Sequence, residues 1–196
     1  MEKILIKNGR VFSGFDEPSR IANVLVSNGK VETISEAEIH AADARTIDAS
    51  GKWVLPGFID NHTHYDGELL VEPSLSESVR HGVTTVILGG CSLSFVYADV
   101  EDLCDMFTRV EAFPREILAP ILKEAKTWTG PKEWLEHLHS LNVGPNIASF
   151  IGHSDIRAKV LGIDRSLSEN VKPTKDEVNE MRRMLEEALD AGFLGI

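Results

Sequence analysis

Cysteine is scarce in this sequence: Cys91 and Cys104 are the only two in 196 residues. Two cysteines cannot build a disulfide framework. The opening residues, Met1-Glu2-Lys3-Ile4-Leu5-Ile6-Lys7, return to charge at once and lack the apolar stretch of a secretory signal. A reducing cytoplasm is therefore the expected compartment, and there Cys91 stays a thiol free to bind metal. Positive charge is also short. Lys and Arg total 20 against 31 Asp and Glu, a formal charge of −11, which argues against the basic face that a nucleic-acid partner needs. No apolar run approaches the roughly 20 residues that span a bilayer, so no membrane partner is expected. The 15 Gly and 8 Pro follow no strict period, excluding a collagen-like chain or a linker. What is present, 42% apolar and 26% charged residues, is the composition of a globular protein. The acidic residues spread over 99–105 and 176–190 read as solvated helix faces.

The first fifty residues read as short strands with turns every 8–12 residues. Val24-Leu25-Val26 and Val31-Glu32-Thr33-Ile34 flank Asn28-Gly29, a hairpin signal because Gly supplies the positive φ of a tight turn. The pattern changes at Trp53. Residues 54–60 form a mostly apolar run ending in Asn61-His62-Thr63-His64. A short helix is expected over 74–81. Val83-Thr84-Thr85-Val86-Ile87-Leu88 reads as a buried strand stopping at Gly89-Gly90-Cys91. Asp99 is expected to cap a helix through Phe113, with Val100, Leu103, Phe107 and Val110 on its apolar face. A second helix is expected over 132–141. Residues 146–151 give a third strand ending at Gly152-His153. Thr174 and Glu177 match a capping box opening a helix to Ala191, with Val178, Met181, Leu185 and Ala188 on one face and Gly192 ending it. Phe193-Leu194-Gly195-Ile196 reads as a fourth strand. Apolar strands separated by helices indicate an α/β fold with a parallel sheet, whose chemistry sits at the C-terminal strand ends.

Those ends carry His62 and His64, then Cys91, then His153. On an extended strand residues i and i+2 point to one side, so both imidazoles of His62-Thr63-His64 can meet one ion. Asp60 shares that face and could orient a ligand from behind. His137 and His139 have the same spacing but fall on an expected helix, where i and i+2 diverge by about 200°; they read as ordinary helix residues, as do His40 and His81 without partners. Cys91 admits two readings, a small buried side chain or a thiolate on an ion shared with the histidines. Cys104, at an apolar-spaced helix position, reads as core.

The run Val54-Leu55-Pro56-Gly57-Phe58-Ile59-Asp60-Asn61-His62-Thr63-His64, preceded by a small β unit, resembles the first barrel strand of the amidohydrolase superfamily. His64-Tyr65-Asp66, Gly82-Val83-Thr84-Thr85-Val86, Gly89-Gly90-Cys91-Ser92-Leu93-Ser94 and Ile151-Gly152-His153-Ser154-Asp155-Ile156-Arg157 resemble the N-acyl-D-amino-acid deacylase (D-aminoacylase) family. The resemblance covers essentially the whole chain, and the cysteine loop is its discriminating feature. It implies a small β-sandwich subdomain over 1–52 and, over 53–196, the N-terminal half of a metal-dependent (β/α)8 TIM barrel ending in strand 4. It also implies one or two zinc ions, with His62, His64 and Cys91 as ligands, and a C–N amide hydrolase that deacylates N-acyl-D-amino acids. His153 and Arg157 match a family motif and are candidate substrate contacts. Asp66 matches a family acid with no role readable from spacing. The aspartate that would act as general base is expected beyond Ile196, so no catalytic residue is assigned.

Two other readings remain at this point. A cyclic-amide hydrolase related to dihydropyrimidinase or dihydroorotase shares the His-x-His strand but leaves Cys91 unexplained. An inactive fragment, or one half of a pair, is suggested by the count of strands, since four cannot close an eight-stranded barrel. Bare edges would then favour an oligomer or a complementary half-chain.

Overall fold

A computed structural model describes residues 3–196. The chain divides into two compact units, the first running to Gly57 and the second spanning Phe58–Ile196.

The first unit is a sandwich-like sheet of five strands: β1 (Lys3–Val11), β2 (Arg20–Ser27), β3 (Lys30–Ser35), β4 (Ala44–Asp48) and β5 (Trp53–Val54). The order is β3-β2-β1-β4, with β5 also on β1. β1 shares one edge between two parallel partners, β4 along Lys3–Lys7 and β5 at Arg10 and Val11. β2 and β3 form the expected hairpin, Asn28 and Gly29 both taking positive φ (54° and 73°). Alternation along the strands buries Val11, Ala22 and Val24, with Ile6, Val26 and Val54 packed beside them. The apolar run over 54–60 thus divides. Trp53–Val54 pair with the first sheet, and Pro56, which has no N–H to donate, falls in the gap before the next strand.

The second unit begins with β6 (Phe58–Asp60), then α1 (Ser76–Arg80) and β7 (Val83–Leu88). Three helices follow, α2 (Val100–Glu111), α3 (Arg115–Ala125) and α4 (Pro131–Ser140), and then β8 (Asn146–Ser149). Helices α5 (His153–Leu161), α6 (Ile163–Leu167) and α7 (Lys175–Ala191) complete it. The strands lie parallel in the order β6-β7-β8. Parallel strands need covered crossovers, and the helices supply them. One core of fully buried side chains, including Leu69, Leu88, Phe95, Phe107 and Trp134, lies between sheet and helices. This is the α/β arrangement of an incomplete (β/α)8 barrel. Phe58 and Ile59 on β6 are largely exposed, and β6 has no second strand neighbour among the described residues.

Several expectations need correction. Residues 193–196 do not form a regular fourth strand. Leu194 N donates to Ser149 O (2.9 Å), but Ile151 N returns to Gly195 O (2.9 Å) rather than to Leu194, so the bonds miss the even parallel spacing. Asp99 occupies the N-cap of α2, yet its side chain makes no capping bond and instead takes the ammonium of Lys159 at 2.9 Å. On α2 Leu103 and Phe107 are buried as expected, whereas Val110 faces solvent. The capping box of α7 forms as expected. Glu177 N donates to Thr174 Oγ1 (3.2 Å), and Thr174 N donates to Glu177 Oε2 (2.8 Å).

Candidate metal centre

The parallel registers place Asp60, Leu88 and Ser149 at one end of the second sheet. The residues that follow each carry the candidate chemistry. β6 stops at Asp60, so the two histidines stand on irregular backbone just past the strand rather than on it. Thr63 preserves their common direction. It is buried, and both its N–H (3.1 Å) and its Oγ1 (2.8 Å) donate to Ile87 O on β7. With Thr63 pinned to the sheet, its neighbours turn the other way together. Their rings lie 5.4 Å apart between centroids, edge to face.

Cys91 arrives by a tight turn after β7. Gly89 takes φ 78°, and a β-carbon there would sit 2.1 Å from Phe150 O, so only glycine lets the turn pass the third strand. Gly90 is next; a β-carbon on it would meet the His62 ring at 2.9 Å. Cys91 (φ 49°) and Ser92 (φ 65°) are both left-handed, a conformation that costs a non-glycine residue on the order of 1–3 kcal/mol. The turn is braced by Ser92 Oγ against Ser154 Oγ at 2.8 Å.

The result is one cluster. One ligand atom each from His62, His64 and Cys91 lies within 4.8 Å of the others, and His62 Nε2 stands 2.8 Å from Cys91 Sγ. A tetrahedral ion with usual zinc–nitrogen and zinc–sulfur bonds would set such atoms about 3.5 Å apart. His64 Nδ1 is buried without a hydrogen-bond partner, as a nitrogen awaiting an ion would be, and its Nε2 lies 3.5 Å from Glu111 Oε1 at the end of α2. Two imidazoles and a sulfur suit a borderline-soft divalent ion. The geometry and donor types fit a metal site.

A brace lies beneath the cysteine turn. Asp155, fully buried in the first turn of α5, accepts from Ser94 Oγ (2.6 Å), Val96 N (2.8 Å), Tyr97 N (3.1 Å) and Ala98 N (2.7 Å). Burial raises its pKa, and these donors oppose the rise. Ser94 Oγ in turn accepts from Gly152 N at 3.0 Å. Asp66 is buried too, with neither carboxylate oxygen in a hydrogen bond. Burial pushes its pKa up to about 7, and the nearby Asp155 charge adds to the rise.

The other sequence candidates lie elsewhere. Asp60 Oδ1 accepts the backbone N–H of His62 at 3.3 Å, bracing the chain rather than a ring. His153 is exposed at the first residue of α5, outside the cluster. Arg157 ties α5 to α6 through Nε to Ser166 O (3.3 Å) and borders a small pocket of about 90 Å³ with Leu93, Met106 and Ser154. His137 packs against Trp128 and Trp134 on α4, where burial lowers its pKa. Cys104 is buried core, its thiol pKa raised by that burial. Glu111 and the Asp155 brace carry no local signal: a glutamate ending a helix and an aspartate beginning one are ordinary in sequence. No helix among the described residues is long and apolar enough to cross a membrane.

Comparisons with known proteins agree with this geometry. Residues 45–103 match the model of the amidohydrolase family. The protein Rv2913c of Mycobacterium tuberculosis is 47% identical over 194 residues, which are 98% of this chain and 32% of that protein. Among solved structures, D-aminoacylase superposes with a TM-score of 0.76 at 30% identity, covering 98% of this chain and 37% of that one. An N-acyl-D-glutamate deacylase from Bordetella bronchiseptica, complexed with zinc and a phosphonate inhibitor, superposes with a TM-score of 0.77 at 28% identity over the same shares. The chain spans about a third of the length of these relatives. Fold, cysteine turn and whole-chain similarity agree: the chain belongs to the amidohydrolase superfamily, with its D-aminoacylase-like members.

Proposed function

We propose that the chain carries part of the zinc centre of a hydrolase that deacylates N-acyl-D-amino acids. The observation that carries this reading is the convergence of His62, His64 and Cys91, from two strand ends, within 4.8 Å. The relatives named as a D-aminoacylase and as an N-acyl-D-glutamate deacylase, the latter with zinc, support the substrate class and the metal. When bound, zinc lowers the pKa of water to about 7 and polarises a carbonyl.

The residues of this chain divide the work. His62 and His64, directed by Thr63, would hold the ion together with Cys91, whose sulfur is carried on the strained turn and would add negative charge that tempers the ion's acidity. Asp60 keeps the backbone of His62 in place. His153, exposed beyond the third strand, and Arg157, beside the small pocket, are proposed to contact substrate. The general base is assigned to no residue of this chain. The cyclic-amide reading gives Cys91 nothing to do, although Cys91 stands at the centre of the cluster.

Metal content of the purified chain after overexpression tests the reading. Zinc near one equivalent is expected, with loss on replacing His62, His64 and Cys91 together by alanine. A chain without zinc, or a triple variant that keeps it, overturns the proposal. Amine release from N-acetyl-D-amino acids but not from their L counterparts, by a protein containing this chain, tests the substrate class.

A further inference from the structure

The geometry points to a binding pocket for a short-chain carboxylate, held by Arg109 and Arg157 beside the cysteine turn. The pocket, of about 90 Å³, lies among α2, α5 and α6. Leu93 and Met106, both buried, line it together with Ile163, Val110 and Leu167. Val110 and Leu167 are about half exposed, at 53% and 47%, which leaves their apolar surface in water unless something covers it. Two arginines share this apolar lining. Arg157 is fixed in place, since its Nε donates to Ser166 O at 3.3 Å, and its terminal nitrogens have no protein partner among the described residues. Arg109 has no partner at all among them.

Such free cations are out of keeping with the rest of the chain. Acidic residues outnumber basic ones by 31 to 20, and in the second unit Arg80, Arg115, Arg165 and Arg183 each pair with a carboxylate. Arg182 is unpaired as well, but it stands alone, exposed on α7. Two guanidinium groups with N–H donors to spare suit one anion, and a carboxylate can take two parallel N–H bonds from either. The apolar lining decides what the anion carries. Inorganic phosphate would leave Leu93, Met106 and Ile163 against water or a void, whereas an alkyl tail covers them. A volume of about 90 Å³ equals roughly three waters' share of liquid volume, room for a tail of about three carbons. The location gives the ligand a source. Ser154, which also lines the pocket, meets Ser92 next to Cys91 at 2.8 Å between hydroxyl oxygens, and Leu93 lies two residues past Cys91. On the deacylase reading proposed above, on which this source rests, hydrolysis of an N-acyl group releases one amine and one carboxylate. A short-tailed acid is the product that fits.

The test titrates butyrate into the whole chain, once stripped of metal and once loaded with zinc, and follows the Met106 methyl signal by NMR, assigned by its loss in Met106→Leu. Butyrate should shift that signal saturably in both forms. Butanol and butylammonium, which lack the carboxylate, and inorganic phosphate, which lacks the tail, should not. Hexanoate, too long for the pocket, should bind no better than butyrate. Arg109→Gln and Arg157→Gln should each weaken butyrate binding about tenfold. Arg109 is exposed on the surface of α2, so the urea midpoint of Arg109→Gln should match the parent and a loss of binding there is not a loss of fold. No saturable shift in the metal-free chain, butyrate binding within twofold of the parent in Arg109→Gln, or equal binding of butanol or phosphate overturns the inference. A shift seen only with zinc bound puts the carboxylate on the ion, which sinks the pocket and leaves the metal-centre reading intact. A chain that binds butyrate but takes up no zinc keeps the pocket and overturns the metal-centre reading.

Discussion

Asp155 is where the fold is most sharply tested. Asp155→Ala removes the acceptor for three backbone N–H groups, those of Val96, Tyr97 and Ala98, and for the Ser94 hydroxyl, in a region closed to solvent. Each stranded buried donor costs about 1–3 kcal/mol. The hydroxyl can rotate to another acceptor, and the void left by the carboxylate admits water to some of the amides. The expected net loss is therefore about 3–5 kcal/mol, in the range for a buried charged group deprived of its network. With a urea slope of about 2 kcal/mol/M, the unfolding midpoint should fall by roughly 1.5–2.5 M. Fluorescence provides the assay. Trp128 Nε1 donates to Phe95 O at 2.6 Å, within the segment that Asp155 holds, and Trp134 packs against Trp128. Replacing Trp53, which belongs to the first unit, by Phe confines the signal to the second. Because Ser94 follows the cysteine turn by two residues, zinc affinity should fall with stability. A midpoint drop below about 0.5 M would refute the argument, since it would mean the donors find other partners at almost no cost.

Three further outcomes are expected. Gly90→Ala puts a β-carbon 2.9 Å from the His62 ring, in a backbone conformation alanine tolerates, so the ring must shift; zinc affinity should drop about tenfold while the urea midpoint stays put, and unchanged affinity by competition with a chelator would show the ring free to move. Phe107→Ala opens a cavity in the core, against Phe95 at 4.2 Å, and should cost about 3–5 kcal/mol in chemical denaturation; a loss under 1 kcal/mol would mean this part of the core collapses to fill the gap. The third outcome concerns pH. Arg165 and the backbone N–H of Thr174 hold the Glu177 carboxyl down at about 2 from an ordinary 4.5. A depressed acid stabilises the fold above its unfolded value, and that contribution fades as pH falls from about 4.5 to 2. Melting temperature of the parent should therefore drop more steeply over that window than in Glu177→Gln, and parallel curves would remove the capping box from the account.

Much of the fold is visible in the sequence where one element buries one kind of side chain. β7 shows as a run of β-branched and apolar residues whose Val86 and Leu88 are buried in the core, and α7 announces itself by a capping box, an apolar stripe and a terminal glycine. Legibility fails where those conditions lapse. α3 carries Pro120 in its interior, which reads as a break although the helix continues past it. α5 buries Asp155 beside Ile156 and Ala158, so its inward face mixes charge with apolar groups and shows no clean period. The last four residues have strand composition, yet Gly195 at φ 156° sends the second hydrogen bond one residue astray.

The candidate site divides along the same line. His62, His64 and Cys91 are legible because their chemistry is rare and their positions follow strand ends. What holds them is not, because each support acts across a long stretch of chain: Ile87 O for Thr63, Ser154 and Asp155 for the cysteine turn. The energetics explain why such supports are needed. Two consecutive left-handed residues at Cys91 and Ser92 cost on the order of 1–3 kcal/mol each, and a turn left to itself would relax. The Asp155 network and the Ser92–Ser154 contact are together of a size to offset that strain. The sulfur is thus held next to His62 before any ion arrives. If the brace and the strain are coupled in this way, Cys91→Gly should stabilise the Asp155→Ala background less than it stabilises the parent, since a turn that has lost its brace relaxes and leaves less strain for glycine to remove. Equal increments in the two backgrounds, measured in urea without metal, would show that the brace and the strained turn are independent.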